Sequence, residues 1–253
     1  MRRIAILAIS LLAALPAFSQ TAAPAAAPAP AAAPAGAIKG PHPKTAAEND
    51  AVIAMGRAPD ADAQIKAAED LIKTYPDTDY KAVALLVEAQ AYNEKRDYPK
   101  AIVLGEQSLT ADPKNYATLL LLADVYARTS KSTDFNLNDE LAKADKYAKD
   151  ALAELEVAEK PKADLPDADW TTIKNGQESQ AYLALGFSAV LHKKFDDAKA
   201  DFQKTMDLAP DALEMLYIER AYAAAKRYDE AIAWADKAAA VPNADPRLKQ
   251  YAA

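Results

Sequence analysis

Cysteine is absent from all 253 residues, histidine occurs twice, and glycine occurs six times. Without cysteine there can be no disulfide, no thiolate nucleophile and no acylated lipoprotein anchor, so stability has to come from a core or a ligand. His42 and His192 are far apart, and no second histidine accompanies either. Metal sites need several ligands that converge, so no metal is expected. The few glycines form neither a phosphate-cradling loop nor a strained nucleophile turn. No cofactor and no catalytic residue is therefore expected. Base is also in deficit, with 30 Lys and Arg against 37 Asp and Glu. That balance argues against nucleic acid or anionic lipid as the main partner.

Long apolar runs are missing as well, except for one short stretch. Arg2 and Arg3 precede an apolar run from Ile4 to Leu15, followed by Pro16 and Ala17-Phe18-Ser19. This is the layout of a secretory signal peptide (residues 1–19) cleaved after Ser19. The run is about twelve residues, short of the roughly 20 that span a bilayer as a helix. The chain is therefore expected in the periplasm or secreted, with no stable membrane insertion. Loss of Arg2 and Arg3 leaves 28 bases against 37 acids, a net charge of −9.

Residues 20–44 are dominated by Ala and Pro. Prolines at 24, 28, 30 and 34 block the helix that so much Ala would favour. A disordered tether reaching roughly 70 Å at ~3.1 Å per residue is expected there. Residues 45–253 then form one helical domain. They are rich in Ala, Leu, Lys, Glu, Asp and Tyr at helical spacing, with no alternating strand pattern.

A repeat runs through this domain. Ala89, Tyr92, Ala101 and Pro113 follow one another at steps of 3, 9 and 12, and Gly186, Ala189, Ala198 and Pro210 do the same. Glu219, Tyr222 and Ala231 repeat the steps of 3 and 9, with Pro242 one residue early. Tyr182-Leu183-Ala184-Leu185-Gly186, then Ala198-x3-Phe202, then Pro210, resembles the tetratricopeptide (TPR) signature. The resemblance implies an all-α superhelical solenoid of about five antiparallel helix pairs, with Gly186 and Ala198 small where the two helices cross. The units fall at about 45–78, 80–113, 116–157, 176–210 and 212–245. The first is the least regular, with Met55 as its only large anchor. In the third, Tyr126 and Ala144 stand 18 apart, so a nine-residue insertion is expected around Ser130 to Asp139. Between Ala158 and Asn175 the repeat breaks, with a loop near Pro161 and Pro166 and a helix starting near Asp167 or Asp169.

Recurring acids invite a catalytic reading. Asp196-Asp197 and Asp229-Glu230 occupy equivalent places, but neighbours at a helix start do not face one another. Asp196 and Asp229 are expected as N-caps, behind Tyr98, Phe195 and Tyr228 as apolar plugs of the helical hairpins. Trp170 and Trp234 admit two readings, structural anchors or exposed hot spots.

In TPR proteins the first helix of each pair lines a concave groove. The resemblance therefore implies a peptide-binding surface made of Leu86, Gln90 and Asn93, then Leu120, Asp124 and Arg128. Leu183, Phe187 and Val190 continue it, and Leu216 and Arg220 complete it. Leucines stand where family members that clamp a peptide carboxylate carry their first and fourth basic groups, so an extended or helical peptide with apolar side chains is the better match. The same leucines could equally pack between repeats. Residues 74–86, Thr74-Tyr75-Pro76-Asp77 onward, also resemble repeat junctions of periplasmic assembly and cell-envelope coordination proteins. The expected function is a non-catalytic protein- or peptide-binding adaptor of the cell envelope. A self-associating spacer, which would make the chain a homo-oligomer, and a small-ligand carrier are the alternatives.

Overall fold

The computed structural model describes residues 40–241, and the expectations for residues 1–39 and for the tail beyond Val241 lie outside it. Among the described residues the secondary structure is ten helices and no strand. They are α1 (Ala46–Gly56), α2 (Ala61–Thr74), α3 (Lys81–Glu94), α4 (Tyr98–Ala111), α5 (Tyr116–Thr129), α6 (Leu137–Val157), α7 (Asp167–Leu191), α8 (Phe195–Leu208), α9 (Ala212–Ala224) and α10 (Tyr228–Ala240). Successive helices pack as pairs, and each pair packs on the next, so the layout is a solenoid of five helix pairs.

The first pair forms despite its weak pattern because Met55 and Val52 are fully buried against Leu71, Tyr80 and Ala84. Thr45 caps α1 by accepting from the Glu48 N–H. The buried Glu48 carboxylate in turn accepts from Thr78 Oγ1 at 2.6 Å, which ties α1 to the turn before α3. A second polar stitch joins the second and third pairs. Ser108 Oγ donates to the Ala82 carbonyl at 2.8 Å and lies 2.9 Å from Thr118 Oγ1, all buried. Buried polar groups need such partners, since an unmatched one costs about 1–3 kcal/mol.

Three turns share one conformation. Arg96, Lys193 and Lys226 have φ of 61°, 60° and 62°. Behind each, the next N–H reaches back to the carbonyl five residues earlier: Asp97 to Tyr92, Lys194 to Ala189 and Arg227 to Tyr222. Each of these first helices therefore ends in a left-handed residue with the Schellman pattern. This identity of backbone, at the same place in three pairs, is the repeat seen in three dimensions.

The left-handed turn also corrects the expected caps. It brings the second helix in two residues early, so Lys194 and Arg227 occupy the N-cap positions and make no side-chain cap hydrogen bond. Asp196 and Asp229 lie in the first turn, where a carboxylate is favoured by the helix dipole instead. Of these three turns only that of the second pair has an acid at the cap position, Asp97, which accepts from the Lys100 N–H; in the first pair Asp60 caps α2 in the same way, accepting from the Ala63 N–H. Of the three expected plugs, Tyr98 and Phe195 are half-buried. Tyr98 packs on the cluster of Leu86, Leu121 and Val125, and Arg227 of the following pair covers the Phe195 ring at 4.2 Å. Tyr228 is 61% exposed, because no further pair among the described residues reaches it.

The expected insertion divides into two parts. Residues 130–136 form a loop, fastened where the Glu140 carboxylate accepts from Ser130 Oγ and Asn136 Nδ2. The remainder lengthens α6 to 21 residues. After the loop at 158–166, α7 starts at Asp167 and runs for 25 residues. The main core lies at this end of the solenoid. Phe202 stands at its centre, with the rings of Phe187, Tyr222 and Trp234 edge-on to it at 5.4, 5.7 and 6.2 Å. Trp234 is thus a buried anchor, whereas Trp170 is half-buried near the start of α7.

Candidate functional site

The first helices of successive pairs pack on one another, α3 on α5, α5 on α7 and α7 on α9, and so form one face of the solenoid. Their side chains on this face divide into two groups. Leu86, Leu120, Leu183, Val190 and Leu216 are each no more than 6% exposed. Leu86 packs with Leu121 and Val125, and the other four belong to the main core. Asn93 is buried and Gln90 half-buried further along the face, and Arg220 is exposed on α9. The structure brings Asp124, Arg128 and Phe187 together instead.

Arg128 and Phe187 meet at a cleft of about 170 Å³ between α5, α7 and α9, lined by Ala127, Arg128, Phe187, Leu191 and Tyr217, and Asp124 lies behind Arg128 as its partner. A cleft of that size resembles the ~150 Å³ cavity that admits a benzene ring, and falls short of the ~300–1,000 Å³ typical of drug-sized ligands. It has room for one side chain. Arg128, one turn after Asp124 on α5, forms an ion pair with it. The guanidinium also lies over the Tyr217 ring of α9, 6.0 Å from its centre. Phe187, Leu191 and Ala127 give the cleft an apolar lining, and Arg128 gives it one charged side chain.

Electrostatics at the rim are unusual for a protein surface. Burial pushes the Asp124 carboxyl above its ordinary range, although the Arg128 charge and hydrogen bond oppose this. The Arg128 guanidinium is held protonated by Asp124 against the effect of its own burial. Glu214, three residues before Tyr217 on α9, is pushed up to about 7, first by burial and then by Asp211 and Asp124. Its Oε2 is buried with no hydrogen-bond partner among the described residues.

Leu191, Tyr217 and Glu214 were not among the residues predicted for the groove. The repeat register directs Leu216 and Arg220 inward, and Tyr217 reaches Arg128 only because the solenoid brings α9 round to face α5. No spacing in the sequence carries that curvature. Glu214 follows Asp211 by three residues, a pattern that reads as helix capping, and Asp211 does cap α9 by accepting from the Leu213 and Glu214 N–H groups.

No cluster of three or more His, Asp or Glu suited to a metal ion is found among the described residues. Nor is any described helix long and apolar enough to cross a membrane. No family model matches the chain. No curated protein matches it either. Among solved structures, a thermophilic TPR protein of Thermus thermophilus aligns with a TM-score of 0.55 at 19% identity, over 81% of this chain and 96% of that one.

Proposed function

We propose that this chain, whose fold is the TPR-type helical solenoid, acts as a non-catalytic adaptor that holds a protein or peptide partner on its inner face. The observation that carries this reading is the cleft between α5, α7 and α9. It is open, sized for one side chain and lined by apolar and aromatic side chains with one guanidinium, which suits an anchor residue of an extended or helical peptide. The signal-peptide pattern at residues 1–19 and the Ala/Pro stretch after it support action in the periplasm or outside the cell, on a tether.

The test is capture of partners from envelope extract by the processed protein carrying a photo-crosslinker in place of Tyr217. A defined partner that disappears in Leu191→Glu, with the melting temperature preserved, agrees with the adaptor reading. Labelling that is the same in both proteins contradicts it.

A second reading is favoured by one observation. Tyr228 and Ile232, one turn apart on α10, are 61% and 60% exposed, so the last pair presents an apolar edge suited to self-association as a spacer. Light scattering across a concentration series separates the readings: a monomer at every concentration excludes the spacer.

A further inference from the structure

Phe135, in the loop between α5 and α6, is a phenyl ring left wholly in water. The other exposed large apolar side chains, Val103, Val157, Tyr228 and Ile232, are between 52% and 71% exposed, so each keeps part of its surface on the protein. The loop that carries Phe135 is held in place. Ser130 Oγ and Asn136 Nδ2 donate to the two oxygens of Glu140. Asp134 Oδ2 accepts from the Lys131 N–H at 2.6 Å, and the Asp134 N–H donates to the Lys131 carbonyl at 2.9 Å. The ring is therefore presented from a fixed backbone, which lowers the entropy lost when it docks.

The same molecule carries a receptacle that matches this ring in size and chemistry. The cleft between α5, α7 and α9, at about 170 Å³, is the size of the ~150 Å³ cavity that admits benzene. Phe187 and Tyr217 in its lining offer ring contacts, and Arg128 offers a cation to a π face. Charge also matches, since the residue before Phe135 is Asp134 and the one charged lining residue is Arg128. Arg128 gives Asp124 a hydrogen bond from Nη2, one of the five donors of a guanidinium. Phe135 does not fill the cleft of its own chain, because it is fully exposed. We infer that Phe135 of one copy enters the α5–α7–α9 cleft of a second copy, with Asp134 beside that copy's Arg128. One ring buries about 150–250 Å², far below the ~1,200 Å² of a stable interface, so the contact is weak and forms where copies are crowded. It needs no foreign partner and stands apart from the adaptor reading.

The test is sedimentation equilibrium of the processed protein up to about 1 mM. The wild type is expected to self-associate, and Phe135→Ser and Leu191→Glu each to do so roughly tenfold or more weakly. An equimolar mixture of the two variants should associate again, because one supplies the cleft and the other the ring. Tyr228→Ser should behave as wild type. If Leu191→Glu melts below the wild type, Tyr217→Asp takes its place as the variant without a cleft. A wild type that stays monomeric throughout, association undiminished in Phe135→Ser, or a mixture that stays monomeric overturns the inference. Association lost in Tyr228→Ser also overturns it, and assigns the contact to the edge of α10. None of these outcomes touches the adaptor reading, which the capture from envelope extract decides.

Discussion

Gly186 of α7 lies under the ring of Phe202 of α8, so closely that a Cβ on Gly186 would stand 2.3 Å from Phe202 Cε1. The ring cannot retreat, because Phe187, Tyr222 and Trp234 surround it. Gly186→Leu is therefore expected to destabilise by at least the ~1–3 kcal/mol usual for overpacking. Ala198→Leu, fully buried at the same crossing, should fall in that range. Gly105 offers a milder case: its Cβ would meet Leu122 Cδ2 at 2.8 Å and Cγ at 3.0 Å, so this buried leucine has to shift by a few tenths of an ångström, a cost that a better helix former can offset. Helix propensity favours Ala over Gly by ~1 kcal/mol, so Gly105→Ala should be near neutral. Urea denaturation of the three variants checks the ranking, and wild-type stability in Gly186→Leu would refute the packing.

Lys193 holds a left-handed conformation that costs an L-residue with a Cβ roughly 1–2 kcal/mol. Its backbone N–H and that of Lys194 complete the helix-ending hydrogen bonds, and glycine keeps both. Lys193→Gly is expected to stabilise by up to about 1 kcal/mol, read as a rise in denaturation midpoint. A loss of stability would mean that the Lys193 side chain makes a contact of its own.

The corrected caps make a separate prediction. Asp211→Ala removes two cap hydrogen bonds and should cost ~0.5–2 kcal/mol. Asp229→Ala removes only a favourable charge from the first turn of α10, worth ~0.3–1 kcal/mol. Thermal melts of the two variants at low salt should place Asp211→Ala lower. Equal effects would restore Asp229 as a cap.

Stability should fall as pH rises through the weakly acidic range. Burial, aided by Glu69, pushes Glu88 up to about 7. Glu214 also reaches about 7, and burial with Asp197 and Asp145 raises Asp201 to about 6. Unfolded carboxyls titrate near ~4, so between about pH 4 and pH 7 the folded chain holds protons that the unfolded chain has released. Such groups favour the folded state fully at low pH and lose that contribution as pH passes their folded values. The ion pairs that oppose this trend are mostly at the surface, worth ~0–1 kcal/mol each. The melting temperature should be higher near about pH 5 than near about pH 8, and Glu88→Gln should flatten the difference. A melting temperature that rises with pH over this interval would contradict the assignment.

The architecture was legible because the repeat is written in small residues at fixed steps. Gly186 and Ala198 can be read from the chain alone, since a helix crossing admits nothing larger. Met55 sufficed to anchor the first pair once Tyr80 and Leu71 closed over it. The caps were misplaced by two residues because a left-handed Lys carries no sequence signal of the kind glycine gives. For the site, helical register located Asp124, Arg128 and Phe187 but could not separate leucines that face the groove from those that pack between pairs. Leu86, Leu120, Leu183 and Leu216 belong to the second kind. Tyr217 and Glu214 depend on the curvature of the solenoid, which arises from the sum of many inter-pair contacts.

The measurement that bears most directly on the account is site-specific crosslinking at the cleft. With the photo-reactive group at position 217, the processed protein should capture one defined partner from envelope extract, and Leu191→Glu should lose it while melting at the wild-type temperature. With the group at Val103, an exposed position on α4, the same partner should be absent. Capture that is equal at 217 and 103, or that persists in Leu191→Glu, would contradict the inner-face cleft as the binding site.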